Sequence, residues 1–280
     1  MLLQLASYEQ SIVNHKTARA SFEKFADTAD PSRVFWLDGA SSMGKSYLLE
    51  WFERSIENCE VIRFNLSDNA SLQFVLFQLA DAVREAKVDT PAFDALLKPK
   101  QLSSHNEISG LSIVESPHTN VNLNVDYAQN SDEMLVIYAE RVRALAADVK
   151  LTLQRHDLPH FVIMFDQMER YDHATSSFIY RVLAPILYAL PCFQFVFAGH
   201  NVMDRVSTVP SKGLQDHSLK VTLTPFTNPQ DIAEYLRINA GGRVSGRDLN
   251  KLAEEILAEC QGMPSLVGKF VRIFCGGARE

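Results

Sequence analysis

Apolar residues along the chain follow two spacings, and the switch between them outlines the elements. Continuous apolar runs mark strands buried on both faces. They occur at Arg33–Leu37, Val61–Leu66, Phe161–Phe165 and Phe193–Phe197, with Leu219–Leu223 as a fifth candidate. Between the runs the spacing lengthens to the helical period. Ser46–Phe52 sets Leu48, Leu49 and Phe52 on one face, and Ser71–Lys87 does the same with Leu72, Val75, Leu76, Leu79 and Val83. A long helix from about Asp132 to Arg155 carries the stripe Leu135, Tyr138, Val142, Leu145 and Val149, and another helix is expected around Ser176–Tyr188. Residues 1–32 look helical and amphipathic up to Asp30-Pro31, with Arg19 as a solvated charge. Apolar strands joined by helices predict an α/β fold with a mainly parallel five-stranded sheet covered by helices.

Two regions depart from that alternation. Pro91 and Pro99 punctuate residues 88–130, where a hairpin-like insertion is expected over about 100–130. Its clearest part is Val121–Tyr127, which alternates apolar and polar residues. It reads either as a packing flap or as a partner surface. After Pro225 the pattern is purely helical. Asn228 caps a helix with Pro229 at its first position and Ile232, Tyr235 and Leu236 inward. Gly241-Gly242 ends that helix, Ser245-x-x-Asp248 resembles a capping box, and Leu249, Leu252 and Ile256 face inward in the next. Gly262-Met263-Pro264 precedes a last helix through Phe274. The expected division is a core over residues 1–225 and a small all-helical domain over 226–280.

The stretch between the first strand and its helix carries chemistry. Gly39-Ala40-Ser41-Ser42-Met43-Gly44-Lys45-Ser46 fits G-x-x-x-x-G-K-[ST], the phosphate-binding loop, in its required strand–loop–helix setting. Two glycines let backbone N–H groups converge on phosphate oxygens, and the following helix adds its positive dipole end. Lys45 can bridge the β- and γ-phosphates, and the Ser46 hydroxyl can ligate Mg²⁺. Such a loop needs a carboxylate facing its serine, and Asp166 closes the run Phe161–Phe165 at the sheet edge where ligands bind. Three residues on, Glu169 can polarise the water that attacks the γ-phosphate, while Arg170 reads as exposed. The strand Phe193–Phe197 ends in Ala198-Gly199-His200-Asn201, where His200 or Asn201 can sense the γ-phosphate.

Composition changes this picture in three places. The net charge of −7 counts against a broad nucleic-acid-binding surface, though a local basic groove stays compatible with it. Cys59, Cys192, Cys260 and Cys275 form no C-x-x-C pair and read as buried free thiols in a reducing compartment. No apolar run approaches the ~18 residues of a membrane span. The first residues lack the basic start and apolar core of a signal peptide. A cytoplasmic protein without membrane contact is expected.

Four segments together resemble the STAND class of signal-transduction ATPases, related to the NB-ARC, NACHT and AAA+ groups. They are GASSMGKS at 39–46, FVIMFDQME at 161–169, FVFAGH at 195–200 and GMPSL at 262–266. The first two correspond to the Walker A and Walker B motifs, and the last to the G-x-P motif of the class's helical lid. The resemblance implies ATP/ADP and Mg²⁺ as ligands, with an extra strand between the P-loop strand and the Asp166 strand. The nucleotide-binding set is then Gly39, Ala40, Ser41, Ser42, Met43, Gly44, Lys45, Ser46, Tyr47, His200 and Pro264. Lys45 and Glu169 would act in catalysis, and Ser46 and Asp166 at the metal. It also implies an ADP-bound resting form, an ATP-bound form that self-associates, slow hydrolysis, and a role in signalling or defence. This chain departs from many members in having His200 where they carry arginine. It shows no winged-helix domain or sensor repeats after the lid, so either it is a fragment or its effector and sensor act in trans. The alternatives are an AAA+-like ATPase accessory to a nucleic-acid transaction, and a nucleotide-binding scaffold without turnover.

Overall fold

The computed structural model describes residues 15–27, 31–56, 59–65, 71–97, 131–202, 204, 213–239 and 249–275. The 100–130 insertion, the Gly241-Gly242 helix stop and the Ser245 capping box lie outside the described residues. Five parallel strands form one sheet: β1 (Val34–Asp38), β2 (Cys59–Phe64), β3 (His160–Phe165), β4 (Phe193–Gly199) and β5 (Ser218–Thr222), in the order β2-β3-β4-β1-β5. The expected extra strand between the P-loop strand and the Asp166 strand is β4.

The period of two along each strand sorts side chains into two cores. Val34, Trp36, Ile163, Phe165, Phe195 and Phe197 face one way. They are covered by α3 (Leu72–Glu85), α5 (Ser131–Leu153) and the segment 173–188. Phe35, Leu37, Val162, Met164, Val196 and Ala198 face the other, under α1 (Lys16–Ala26) and α2 (Lys45–Ser55). Burial on both faces explains why the strands read as unbroken apolar runs. Phe64, Phe165, Phe197 and Trp36 are register partners on four adjacent strands and stack in one row, with centroid spacings of 5.1, 5.5 and 4.5 Å. Each such contact adds about 0.5–1.5 kcal/mol beyond area burial. The row stiffens the sheet just before its carboxyl edge, where the P-loop and Asp166 follow.

The departures from the expected elements have identifiable causes. The helix expected around Ser176–Tyr188 is three pieces: α6 (His173–Phe178), a π turn (Ile179–Leu183) and α7 (Ala184–Tyr188). Pro185 lacks an N–H and its ring clashes with the carbonyl one turn back; widening the preceding turn, where Ala184 N–H reaches Ile179 O, relieves that clash. Within the stretch punctuated by Pro91 and Pro99, residues 91–97 form a short helix, α4 (Pro91–Leu97). Proline starts it, and the buried Asp148 carboxylate on α5 accepts from Ala92 N–H at 3.2 Å and Phe93 N–H at 3.0 Å. That long-range cap, absent from the local pattern, satisfies two helix-start donors that Pro91 and Thr90 leave open. Helix α1 stops at Ala26, short of Pro31. Arg19 is not a fully solvated charge, since its guanidinium lies 4.6 Å over the Trp51 ring. Strand β2 ends at Phe64, and Leu66 falls outside the described residues.

A short α8 (Gly213–Asp216) precedes β5, and the described residues after β5 form three helices. They are α9 (Pro229–Asn239), α10 (Leu249–Cys260) and α11 (Pro264–Cys275). Phe226, Ile232, Leu236, Ala253, Ile256 and Val267 give them a hydrophobic cluster of their own. The Asn228 side chain accepts from Gln230 N–H at 3.1 Å, which is the expected cap.

Candidate functional site

The loop after β1 has the turn that phosphate binding needs. Ser42 and Gly44 take left-handed φ values of 69° and 85°, and α2 starts at Lys45. Asp38 closes β1 as Asp166 closes β3, and its Oδ1 accepts from Gly39 N–H at 2.7 Å. Lys45 is buried, and its Nζ donates to Gly39 O at 2.6 Å and Ala40 O at 2.8 Å. The ammonium is thus held by carbonyls of its own loop. Burial lowers the Lys45 pKa, and the charges of Glu169, Asp166 and Asp38 oppose that shift. Lys45, Asp166 and Glu169 therefore share one electrostatic neighbourhood, as the motifs imply, and Asp38 joins them.

Asp166 lies directly past β3 and is fully buried. Its Oδ1 accepts from Gln167 N–H at 2.8 Å, and its Oδ2 from an Arg63 guanidinium nitrogen at 2.9 Å. The same nitrogen donates to Ser46 O at 3.0 Å. Arg63 thereby ties the start of the P-loop helix to the Asp166 carboxylate. Beneath them Tyr171 donates to Phe64 O at 3.4 Å, and burial first, then the Asp166 charge, push its phenol up.

Glu169 sits in a one-turn 3₁₀ helix (Met168–Arg170) that follows a left-handed Gln167. Its Oε2 accepts from His200 N–H at 3.0 Å. The strand tip therefore meets Glu169 through the His200 backbone, while the His200 side chain is exposed. Gly199 makes this approach possible: a Cβ there would stand 2.9 Å from Glu169 Oε2 and 3.1 Å from Met168 Cβ. Arg170 is exposed, as expected.

Two segments close over the outer turn of the loop. Half-buried His15, ahead of α1, places Nε2 2.8 Å from Met43 O. On the other side α10 ends in left-handed Gln261 and Gly262, Met263 packs on the core cluster that holds Met43, and half-buried Pro264 begins α11. Ser265 N–H, a helix-start donor with no partner in its own helix, reaches Ser42 O at 3.3 Å. Of the remaining predicted residues, Ser41 and Tyr47 are exposed and Ser46 is half-buried.

Asp38, Arg63, His15 and Ser265 escape the sequence reading. Asp38 carried the same signal as Asp166, a carboxylate closing an apolar run. Arg63 stood out only as a charge inside a strand. Nothing local marks His15, and Ser265 lies within the GMPSL segment at 262–266 without being singled out there.

The donors suit magnesium. A serine hydroxyl and a buried carboxylate are hard oxygens, and phosphate and water complete such a shell. Among the described residues no group of three His, Cys, Asp or Glu side chains forms a closed cage, so a divalent ion here would depend on phosphate ligands. Among the described residues no helix is long and apolar enough to cross a membrane.

No protein-family model matches the sequence, and no curated protein does. The fold does match solved structures. Cdc6p from Pyrobaculum aerophilum superposes with a TM-score of 0.52 at 13% identity, over 96% of this chain and 64% of that one. The Hsp104–ADP complex of S. cerevisiae gives 0.46 at 12%, over 98% of this chain and 33% of that one. The ORC2 protein of Aeropyrum pernix gives 0.42 at 13%, over 100% and 72%. This chain spans less than two-thirds of the length of that Cdc6p. At such identity the first likeness shows the fold alone: an α/β architecture with a mainly parallel sheet covered by helices.

Proposed function

We propose that this chain is an ATP-binding switch of the STAND type, in which nucleotide bound at the P-loop couples residues 1–225 to a helical lid over 226–280. One observation carries the reading: Ser265 N–H of the lid helix meets the P-loop carbonyl of Ser42 at 3.3 Å. Phosphates seated at 39–46 therefore lie beside the boundary between sheet and lid. A ligand shifts the balance between lid orientations only through its differential affinity for them. Because ADP and ATP share the base and the first phosphates, that difference must arise at the γ-phosphate, near Lys45 and the Ala198–Asn201 tip.

The residues divide the work. Lys45 turns from the Gly39 and Ala40 carbonyls to the β- and γ-phosphates. Ser46 and Asp166 would hold Mg²⁺, which would supply neutralisation of phosphate charge. Glu169 orients and deprotonates the attacking water. In the described state its carboxylate is engaged by His200 N–H, which fits slow turnover. ATP-driven self-association, or an effector or sensor in trans, would read out the lid.

The test is nucleotide content after purification, then hydrogen exchange over 226–280 and oligomeric state, each with ADP and with a non-hydrolysable ATP analogue. Bound nucleotide and an analogue-specific change in lid protection are expected. No nucleotide binding by calorimetry would refute the reading. An AAA+-like ATPase that serves nucleic acid is the second reading, compatible with the fold shared with Cdc6p. Steeply salt-dependent DNA or RNA binding with stimulated turnover would decide for it. Unchanged lid protection despite tight binding would leave the scaffold without turnover.

A further inference from the structure

We propose that Arg63 is a built-in cation, shared between Asp166 and Glu53, that sets how strongly nucleotide binding depends on Mg²⁺. The proposal rests on the nucleotide reading of the site and names a residue outside its motifs.

Asp166 is fully buried, and a buried carboxylate needs a compensating charge. In the described state that charge is the Arg63 guanidinium, 2.9 Å from Oδ2. The strand register explains its reach. Arg63 pairs with Met164, so its side chain shares the P-loop face with Met164 and Asp166 and extends one step toward the carboxyl edge. There one nitrogen also binds Ser46 O at 3.0 Å. Arg63 therefore stands between the two residues assigned to hold the metal.

A second carboxylate faces the same guanidinium. Glu53 Oε2, on α2, lies 3.6 Å from the other terminal nitrogen. The two ends differ in solvent exposure: the Asp166 side chain is 0% exposed and that of Glu53 43%. Water screens the Glu53 contact, so Asp166 holds the guanidinium while no metal ion is bound. A divalent ion bound at Asp166 competes with Arg63 for one negative charge. It weakens that hold, and Glu53 is already placed to receive the released guanidinium.

The two carboxylates give predictions of opposite sign. Arg63→Gln removes the guanidinium hydrogen-bonded to Asp166 and leaves that carboxylate only the Lys45 ammonium, which Gly39 O and Ala40 O already engage, unless Mg²⁺ is present. Metal-free nucleotide affinity should fall, and the ratio of affinities with Mg²⁺ to that in EDTA should rise by about tenfold or more, the scale of one charge-assisted hydrogen bond. Glu53→Gln removes the alternative seat, so Arg63 stays on Asp166 and the ratio should drop below that of the unaltered chain. Arg63→Lys retains the charge and should bring the ratio back toward the unaltered value. A merely structural tether would lower both affinities together and leave the ratio unmoved.

The experiment is calorimetric titration of the full chain and the three variants with ADP and a non-hydrolysable ATP analogue, in Mg²⁺ and in EDTA. A higher ratio in Arg63→Gln with a lower one in Glu53→Gln supports the proposal. Nucleotide binding whose ratio neither variant changes overturns it and leaves the nucleotide reading intact. Should Arg63→Gln not fold, the sign of the Glu53→Gln change decides alone. If the unaltered chain binds nucleotide in neither condition, the nucleotide reading fails and this proposal with it.

Discussion

Gly262→Ala tests the seating of α11 against the Phe226 backbone. Gly262 is buried at φ 69°, between α10 and α11, and its carbonyl accepts from Phe226 N–H at 2.8 Å. A Cβ there would overlap the Phe226 carbonyl oxygen outright and stand 3.0 Å from that residue's carbonyl carbon and nitrogen. The obstacle is backbone, so no side-chain rotation relieves it. Holding alanine in the left-handed region costs about 1–2 kcal/mol. Overpacking against rigid neighbours costs about 1–3 kcal/mol. Losing the Phe226 hydrogen bond adds about 0.5–1.5 kcal/mol. A total of about 3–6 kcal/mol is expected, a large share of the ~5–15 kcal/mol that holds a domain. Gly268→Ala is the matched control. Gly268 lies inside α11 without a left-handed φ, and its Cβ would meet only the Tyr235 hydroxyl, at an ordinary 3.4 Å. Alanine there should stabilise by up to about 1 kcal/mol through helix propensity. The assay is urea unfolding with hydrogen exchange across α10 and α11. Gly262→Ala should lower the midpoint and expose those amides, and Gly268→Ala should do neither. Native stability and lid protection in Gly262→Ala would refute the seating described.

The other predictions concern the loop and its carboxylates. Lys45→Ala should abolish Mg·ATP binding without unfolding the chain; unchanged affinity by calorimetry would place the site elsewhere. Asp166→Asn should weaken Mg²⁺-dependent affinity, whereas Glu169→Gln should spare binding and cut turnover by about 100-fold or more; equal affinity losses would contradict the two roles. Gly199→Ala should mimic Glu169→Gln, because the added methyl would stand 2.9 Å from Glu169 Oε2, and native turnover in a single-turnover assay would count against that placement. Burial holds the His15 pKa below its ordinary 6.5, only partly offset by the Met43 hydrogen bond. Between the lowered and ordinary values the unfolded chain binds more protons, so stability falls as pH falls through that range. The stability of the native chain relative to His15→Gln should therefore decline on acidification, and a relative gain in pH-dependent urea unfolding would reverse the assignment.

Much of the fold was legible in the sequence because it is dictated over short distances. The strand runs, the stripe Tyr138–Val149, the Asn228 cap and the P-loop pattern are each set by neighbours within a few turns of chain. The strand order was different in kind. Only the extra strand between the P-loop strand and the Asp166 strand came with the resemblance, since periodicity marks strands but not their partners; the places of β2 and β5 did not. Some departures had a local cause, as Pro185 at the π turn; in α4 a distant group took part, since Asp148 caps it from α5.

The site divides along the same line. The chain by itself determined which residue types could meet phosphate and metal: Lys45 and Ser46 after the glycine turn, with Asp166 and Glu169 at a strand end. Only the tertiary structure decided how those groups are held. Parallel register brings Arg63 to Asp166, 103 positions away, and β4 brings His200 N–H to Glu169. Ser265 reaches Ser42 because α10 turns back through Gly262. Charge compensation and hydrogen-bond satisfaction are properties of atoms within about 3 Å in space, and linear spacing carries no record of them.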